Sequence, residues 1–179
     1  MAVPRPEGHP GEDAGLKLAL TRLLVSNRVA TKEQVDQAVA AEKTTRGLYV
    51  SHLLDTGVSG DKMLALLARA AGLPSAASAW VRKPHADLAA VADGDACRAL
   101  LAVPFRREGD ALHIAFAAPL PKDLCAHLPP HVPHVALEAD VRAGLDRLYR
   151  SPDLPPPPPS APGPTVAGLP PPPGVGAPL

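Results

Sequence analysis

Two stretches of this sequence align on each other without a gap, and that repeat constrains the fold more than any other feature. LVSNRVATKEQVDQAVA, beginning at Leu24, falls on LLDTGVSGDKMLALLAR, beginning at Leu53, an offset of 29 residues. Val35 falls on Leu64 and Ala38 on Leu67. Leu16, Leu20, Leu23 and Leu24 recur at i, i+4, i+7 and i+8, one face of a helix that Asn27 and Arg28 end. Thr31, with Gln34 three residues on, is a capping box for a second helix. Val35, Ala38 and Val39 share a face of that helix, which runs to about Lys43. In the second copy Val50, Leu53 and Leu54 make a short apolar face, and Gly57 suits a C-terminal position of positive φ. Ser59 is a candidate cap with Asp61 in the turn after it. Met63, Leu64, Leu67, Ala70 and Ala71 then run to Gly72 and Pro74. Two helices cannot bury an apolar stripe alone, whereas four can. Residues 14–73 are therefore expected to form a duplicated helix-pair, four-helix subdomain.

The pattern changes after Pro74. Residues 93–101 read as a short helix with Asp93 or Asp95 near its cap. Val103 and Phe105 alternate with polar or small neighbours, Glu108-Gly109-Asp110 is a turn signal, and Leu112, Ile114 and Phe116 alternate again, which together predict a β-hairpin. Residues 122–128 predict a short helix. Residues 132–137 predict a third strand, placed at an edge by Pro133. Val141, Leu145, Leu148 and Tyr149 mark a last helix. The expectation for 74–150 is a small α+β subdomain with helices packed on a small sheet, and Trp80, the single tryptophan, is expected to seal the junction between the two subdomains. The fold class is α+β, mostly helical.

The ends read differently. Thirteen of the 24 prolines lie in residues 152–179, a stretch of 28 residues with one charged side chain, Asp153. Such a composition cannot bury enough apolar surface to offset its ordering entropy, so 151–179 is expected to be a disordered, proline-rich tail with polyproline II character. Residues 1–13 carry three prolines and no periodicity and are expected to be a disordered arm. The 18 basic and 18 acidic residues cancel, which argues against a nucleic-acid binder and a polybasic membrane-surface protein. No run approaches the ~18–20 apolar residues of a membrane span. The N-terminus lacks the apolar core of a secretory signal. With two cysteines in no disulfide framework, a cytoplasmic location is expected.

In order and spacing, LLVSNRVATKEQVDQAVAAEK, LLDTGVSGDKMLALLARAAGLP, AVPFRREGDALHIAFAAP and VRAGLDRLY resemble the N-terminal domain of the general secretion and type IV pilus assembly ATPases, the MshEN domain. The resemblance spans about residues 16–150. It implies a module that precedes a hexameric ATPase and docks on inner-membrane platform proteins of the secretion or pilus machine. No GxxxxGK[ST] loop occurs in the sequence, so there is no backbone cradle for ATP phosphates. The expected form is a stand-alone copy without the motor.

Some members of the family bind cyclic di-GMP through the helix pairs, each pair carrying an RLG triplet, an apolar pair, a glycine and a terminal glutamine. Carried onto this sequence, the apolar pairs are Leu24-Val25 and Leu53-Leu54. The glycine is Gly57 in the second copy and Arg28 in the first. The triplets fall on Ala19-Leu20-Thr21 and Leu48-Tyr49-Val50, and the glutamines on Glu42 and Ala71. An arginine pairs with phosphate or stacks on guanine, which neither Ala19 nor Leu48 can do. Thr21 and Val50 add a Cβ where glycine allows close approach. Arg22 and Arg46 lie nearby as substitutes in a shifted register. The candidate ligand residues are thus Leu20, Arg22, Leu24, Val25, Arg28, Arg46, Leu53, Leu54 and Gly57. The competing reading makes the leucines bundle core.

Other constellations are weaker. Cys125, His127, His131 and His134 fall short of a zinc signature, and Pro130 interrupts the His127-x3-His131 turn, so no metal is expected. Cys97 has no base or oxyanion partner at a recognisable spacing and reads as a small buried residue. Arg106 and Arg107 read as a solvated hairpin end. The prolines at 155–159 and 170–173 suit an aromatic groove or a spacer. No catalytic set converges. The expected function is a non-enzymatic adaptor that binds secretion or pilus machinery proteins, without nucleic acid, direct membrane insertion or a cofactor. The alternatives are a cyclic di-GMP receptor with a degenerate motif, or a remnant or split piece of a secretion ATPase.

Overall fold

A computed structural model describes residues 14–45, 47–120 and 124–150. Arg46, the N-terminal arm and the proline-rich tail lie outside the described residues. The helix pairs are α1 (Ala14–Ser26), α2 (Lys32–Thr44), α3 (Tyr49–Asp55) and α4 (Gly60–Ala71). Helix α1 packs on α4, and α2 on α3. Leu20, Leu24, Ala38, Leu53, Met63 and Leu67 form the centre of their apolar cluster.

The capping box forms as expected. The Gln34 amide donates to Thr31 Oγ1 at 3.2 Å, and the Thr31 amide donates to Gln34 Oε1 at 2.9 Å. Gln34 Nε2 then reaches the Thr56 carbonyl at 2.9 Å, joining the first turn to the second. Ser59 occupies the start of α4 but makes no side-chain cap bond. Helix α4 ends on Gly72 with φ +64°, a left-handed cap.

The repeat is gapless in sequence but not in structure. Helices α1 and α3 end 29 residues apart, at Ser26 and Asp55, whereas α2 and α4 begin 28 apart, at Lys32 and Gly60. The second turn is one residue shorter. The buried counterpart of Val35 is therefore Met63, wholly buried, and Leu64 is only half-buried. The turns still share a backbone shape: Arg28 has φ +56° and Gly57 φ +91°.

The mixed part holds a three-stranded sheet in the order β1 (Ala102–Glu108), β2 (Ala111–Phe116), β3 (His131–Val135). β1 and β2 form the expected hairpin around Gly109, φ +56°. β3 runs parallel to β2, a direction the sequence does not reveal. Its outer side carries one isolated bridge, to Ser75, so Pro133 removes no interior ladder bond. A bulge leaves Phe105 unpaired between Pro104 and Arg106. Two elements were not foreseen: α5 (Ser78–Arg82) and a 3-10 turn at Ala86–Ala90. Helix α6 (Gly94–Ala99) is capped by Asp93, which accepts from the Asp95 amide at 3.2 Å. The helix expected at 122–128 is a 3-10 turn at Leu124–His127, and α7 (Glu138–Leu148) closes the fold.

Trp80 does not seal a junction. It is 51% exposed on α5, with the Arg106 guanidinium 4.8 Å from its ring centre. Its neighbour Val81 is the buried residue. The two apolar clusters meet elsewhere. Val135 of β3 belongs to the helical cluster, and Leu48, just before α3, belongs to the sheet cluster.

Candidate functional site

The two aligned triplets, offset by 29 residues in sequence, meet at one cleft, to which the first contributes Leu20 and the second all three of its residues. Leu16, Lys17 and Leu20 of α1 line it with Leu48, Tyr49 and Val50, and Leu67, Ala117 and Pro119 close it. Its volume is about 30 Å³, room for one or two waters. A polar net fills the rim. Thr21 Oγ1 lies 2.9 Å from the Tyr49 hydroxyl. The Lys17 ammonium sits 4.7 Å from the Tyr49 ring centre and is ion-paired with Glu42 of α2. Burial raises the pKa of the Tyr49 phenol, with the Thr21 contact and Lys17 opposing. Lysine over an aromatic face is a cation–π contact, so the positive charge at this rim is already engaged by Tyr49 and Glu42.

The candidate ligand residues separate into three groups. Leu24 and Leu53 are wholly buried, and Leu20 is buried except where it meets the cleft. Arg22, Val25 and Arg28 are exposed, with Val25 turned away from Leu24. Leu54 is half-buried and Gly57 exposed at its turn. Arg46 lies outside the described residues. Residues missed by the sequence reading are Lys17, which pairs with Glu42, and Tyr49 as a ring buried beneath it. A lysine seven positions before Leu24 on an amphipathic helix carries no signal of its own.

A second polar cluster ties the helix pairs to the sheet. Glu138, at the start of α7, accepts from Ser51 of α3 and from Arg142, whose Nε lies 2.8 Å away. Burial alone would raise the Glu138 carboxyl, but the Ser51 and Arg142 contacts and the Leu48 amide outweigh it and hold the pKa below the usual carboxylate range.

The cysteine and histidines of the C-terminal part disperse. His131 Nδ1 bonds the Pro129 carbonyl at 2.8 Å and its ring packs on Phe116. His134 Nε2 instead meets His113 Nδ1 at 2.9 Å. Among the described residues no three of His, Cys, Asp and Glu converge as metal ligands. Cys97 is buried, receives the Tyr149 hydroxyl at 3.6 Å, and has its thiol pKa raised chiefly by burial. A thiol in that state is a poor nucleophile. Among the described residues no helix is long and apolar enough to cross a membrane.

Residues 71–154 match the family model of the MshEN domain. A solved structure of MshE with cdg superposes with a TM-score of 0.55 at 28% identity, covering 73% of this chain and 98% of that one. This chain carries an MshEN-type domain. The N-terminal domain of XpsE shares the fold, with a TM-score of 0.54 over 77% of this chain and 99% of that one, at 15% identity. No curated protein matches. The family model covers the sheet, its helices and the end of α4, whereas the candidate ligand residues all precede it. In this MshEN-type domain the helix pairs are thus tied to the relatives through the shared fold rather than through the family model.

Proposed function

We propose that the chain is a non-enzymatic docking module that binds a protein of a type II secretion or type IV pilus machine in the cytoplasm. The observation that carries this reading is helix α1. It is apolar on two sides: Leu20 and Leu24 face the core, while Leu18 and Val25 stand 53% and 45% exposed on the opposite side, next to Arg22. A helix with that pattern is a partner surface rather than a solvated one. The likeness to MshEN-type domains supports this class of partner, because that domain precedes the motor in the ATPases that this chain resembles. The test is affinity capture from the native host with the full chain as bait. An identified secretion or pilus component should be recovered, and should be lost with Leu18→Asp and Val25→Asp combined. If no such component is ever recovered, the adaptor reading fails.

A second reading is a cyclic di-GMP receptor, favoured by the 28% identity to MshE with cdg. Against it stand the absent triplet arginines. Calorimetric titration of the full chain with cyclic di-GMP, beside GTP and ATP, separates the two readings. Saturable binding selective for the cyclic dinucleotide and weakened by Arg22→Ala, Arg28→Ala or Arg46→Ala would replace the adaptor reading. No heat at high micromolar ligand retains it.

A further inference from the structure

Helix α1 carries two stripes. Leu20 and Leu24 lie in the core, and Leu18, Arg22 and Val25 recur at i, i+4 and i+7 along the exposed side. The exposed Ala14 extends this outer stripe, which from Ala14 to Val25 is about 16 Å long. Arg22 is its one charged member, and α1, with the sequence AGLKLALTRLLVS, contains no acidic residue. The other cation of the helix, Lys17, is committed to Glu42. Elsewhere Arg98, Arg106 and Arg142 are each paired with a carboxylate. Among the described residues, Arg22 and the exposed Arg28 just beyond α1 have no such partner. Nor do the exposed Lys62 and Arg69 of α4, the helix packed on α1, where Asp61 is the single acidic residue.

An apolar stripe with an unanswered cation in its middle selects its own complement. A second copy of α1 would set Arg22 against a helix without a carboxylate, so self-association leaves the charge unpaired. A ridge at i, i+4 and i+7 fits the surface of another helix at an interaxial distance of about 8–10 Å. At that spacing an Asp or Glu of the incoming helix reaches the guanidinium, which can hold it through two parallel hydrogen bonds. We propose that the outer face of α1 docks an acidic amphipathic helix of a partner protein. Leu18 and Val25 meet its apolar stripe, and Arg22 and Arg28 meet its carboxylates. The proposal rests on the reading of α1 as a docking face and adds the chemistry of what docks there.

The probe is a display library of helical peptides of about 18 residues, long enough to run past both ends of the stripe, with every surface position randomised. The full chain is the bait. Enriched peptides should combine an apolar stripe at i, i+4 and i+7 with several Asp or Glu. The tightest of them, followed by fluorescence anisotropy, should bind Arg22→Glu about tenfold or more weakly, because the reversal sets like charges together. Leu18→Asp should weaken it about as much. Both side chains are exposed, so the variants should melt like the unaltered chain by circular dichroism. Neutral or basic enriched peptides, no enrichment at all, or binding indifferent to Arg22→Glu overturns the proposal. So does Arg22-dependent binding to vesicles of phosphatidylglycerol and phosphatidylcholine without peptide enrichment, which would assign the face to a lipid surface. The adaptor role fails separately. Recovery of a secretion or pilus component that survives Arg22→Glu ends this proposal and leaves that role, whereas acidic peptides with no component captured end that role alone.

Discussion

In the four-helix half, Leu24, Leu53 and Met63 are wholly buried and fill the space between helices with side chains. In the sheet half one close contact uses no side chain on one partner. A Cβ on Gly144 of α7 would stand 2.3 Å from the Val81 carbonyl and 3.2 Å from Val103. One half keeps its shape by volume, the other by the absence of volume at one point. The two halves should therefore fail in opposite ways, to a cavity in the first and to an intrusion in the second.

The largest effect is expected in the helical half. Leu53→Ala should lower stability by about 3–5 kcal/mol, read as a drop in the denaturant midpoint. If the loss is under about 1 kcal/mol, the helices close on the cavity and volume is not what sets their spacing. Next, Gly144→Ala should cost about 2–3 kcal/mol, because a backbone oxygen cannot turn aside as a side chain can. An unchanged melting temperature would show that α5 slides on α7, and the contrast between the halves would be lost.

A smaller effect separates the halves by pH. The His134 pKa is lowered, first by burial, then by His113 and Arg106. The unfolded histidine takes up its proton near pH 6.5, where the folded one still resists. This contribution is therefore full above pH 6.5 and is lost as pH falls below it toward the lowered folded value. Thermal melts between pH 7.5 and 5 should show the loss, and His134→Asn should flatten it. A slope unchanged by that substitution would place the acid sensitivity elsewhere.

The smallest effect compares the two helix pairs. Arg28 holds φ +56° where Gly57 holds φ +91°. Arg28→Gly should gain up to about 1 kcal/mol, and Gly57→Ala should lose about as much. Nothing lies within 4 Å of a Cβ on Gly57, so that loss reports backbone conformation alone. Equal and opposite shifts in denaturant midpoint would establish the turns as equivalent.

What the sequence discloses follows the range of the forces involved. The helix pairs, the Thr31 box, the Asp93 cap and the hairpin at Gly109 are local, and each is written within a few residues. The one-residue difference between the turns escapes an alignment because Met63 and Leu64 are both apolar and either satisfies the pattern. The parallel course of β3 escapes because strand direction is set by where the chain returns, past a 3-10 turn. The pairing of His113 with His134 depends on that direction. Trp80 was misplaced because a large aromatic suggests burial, whereas α5 is one turn long and turns Val81, not Trp80, inward. At the candidate cleft, the departures from the arginine triplet were visible in sequence. What occupies their place, Tyr49 under Lys17 with Thr21 and Glu42, required the fold to bring α1, α2 and α3 together.

Val135 hydrogen-bonds as the last residue of a sheet strand, yet its side chain sits among the leucines of the helix pairs, and Glu138 three residues later grips Ser51 of α3. Mechanically, this end of β3 is a rivet through two plates. A pull on α1 or α4 from outside is passed to the sheet through this joint, so whatever grips the helices steers α7 with them.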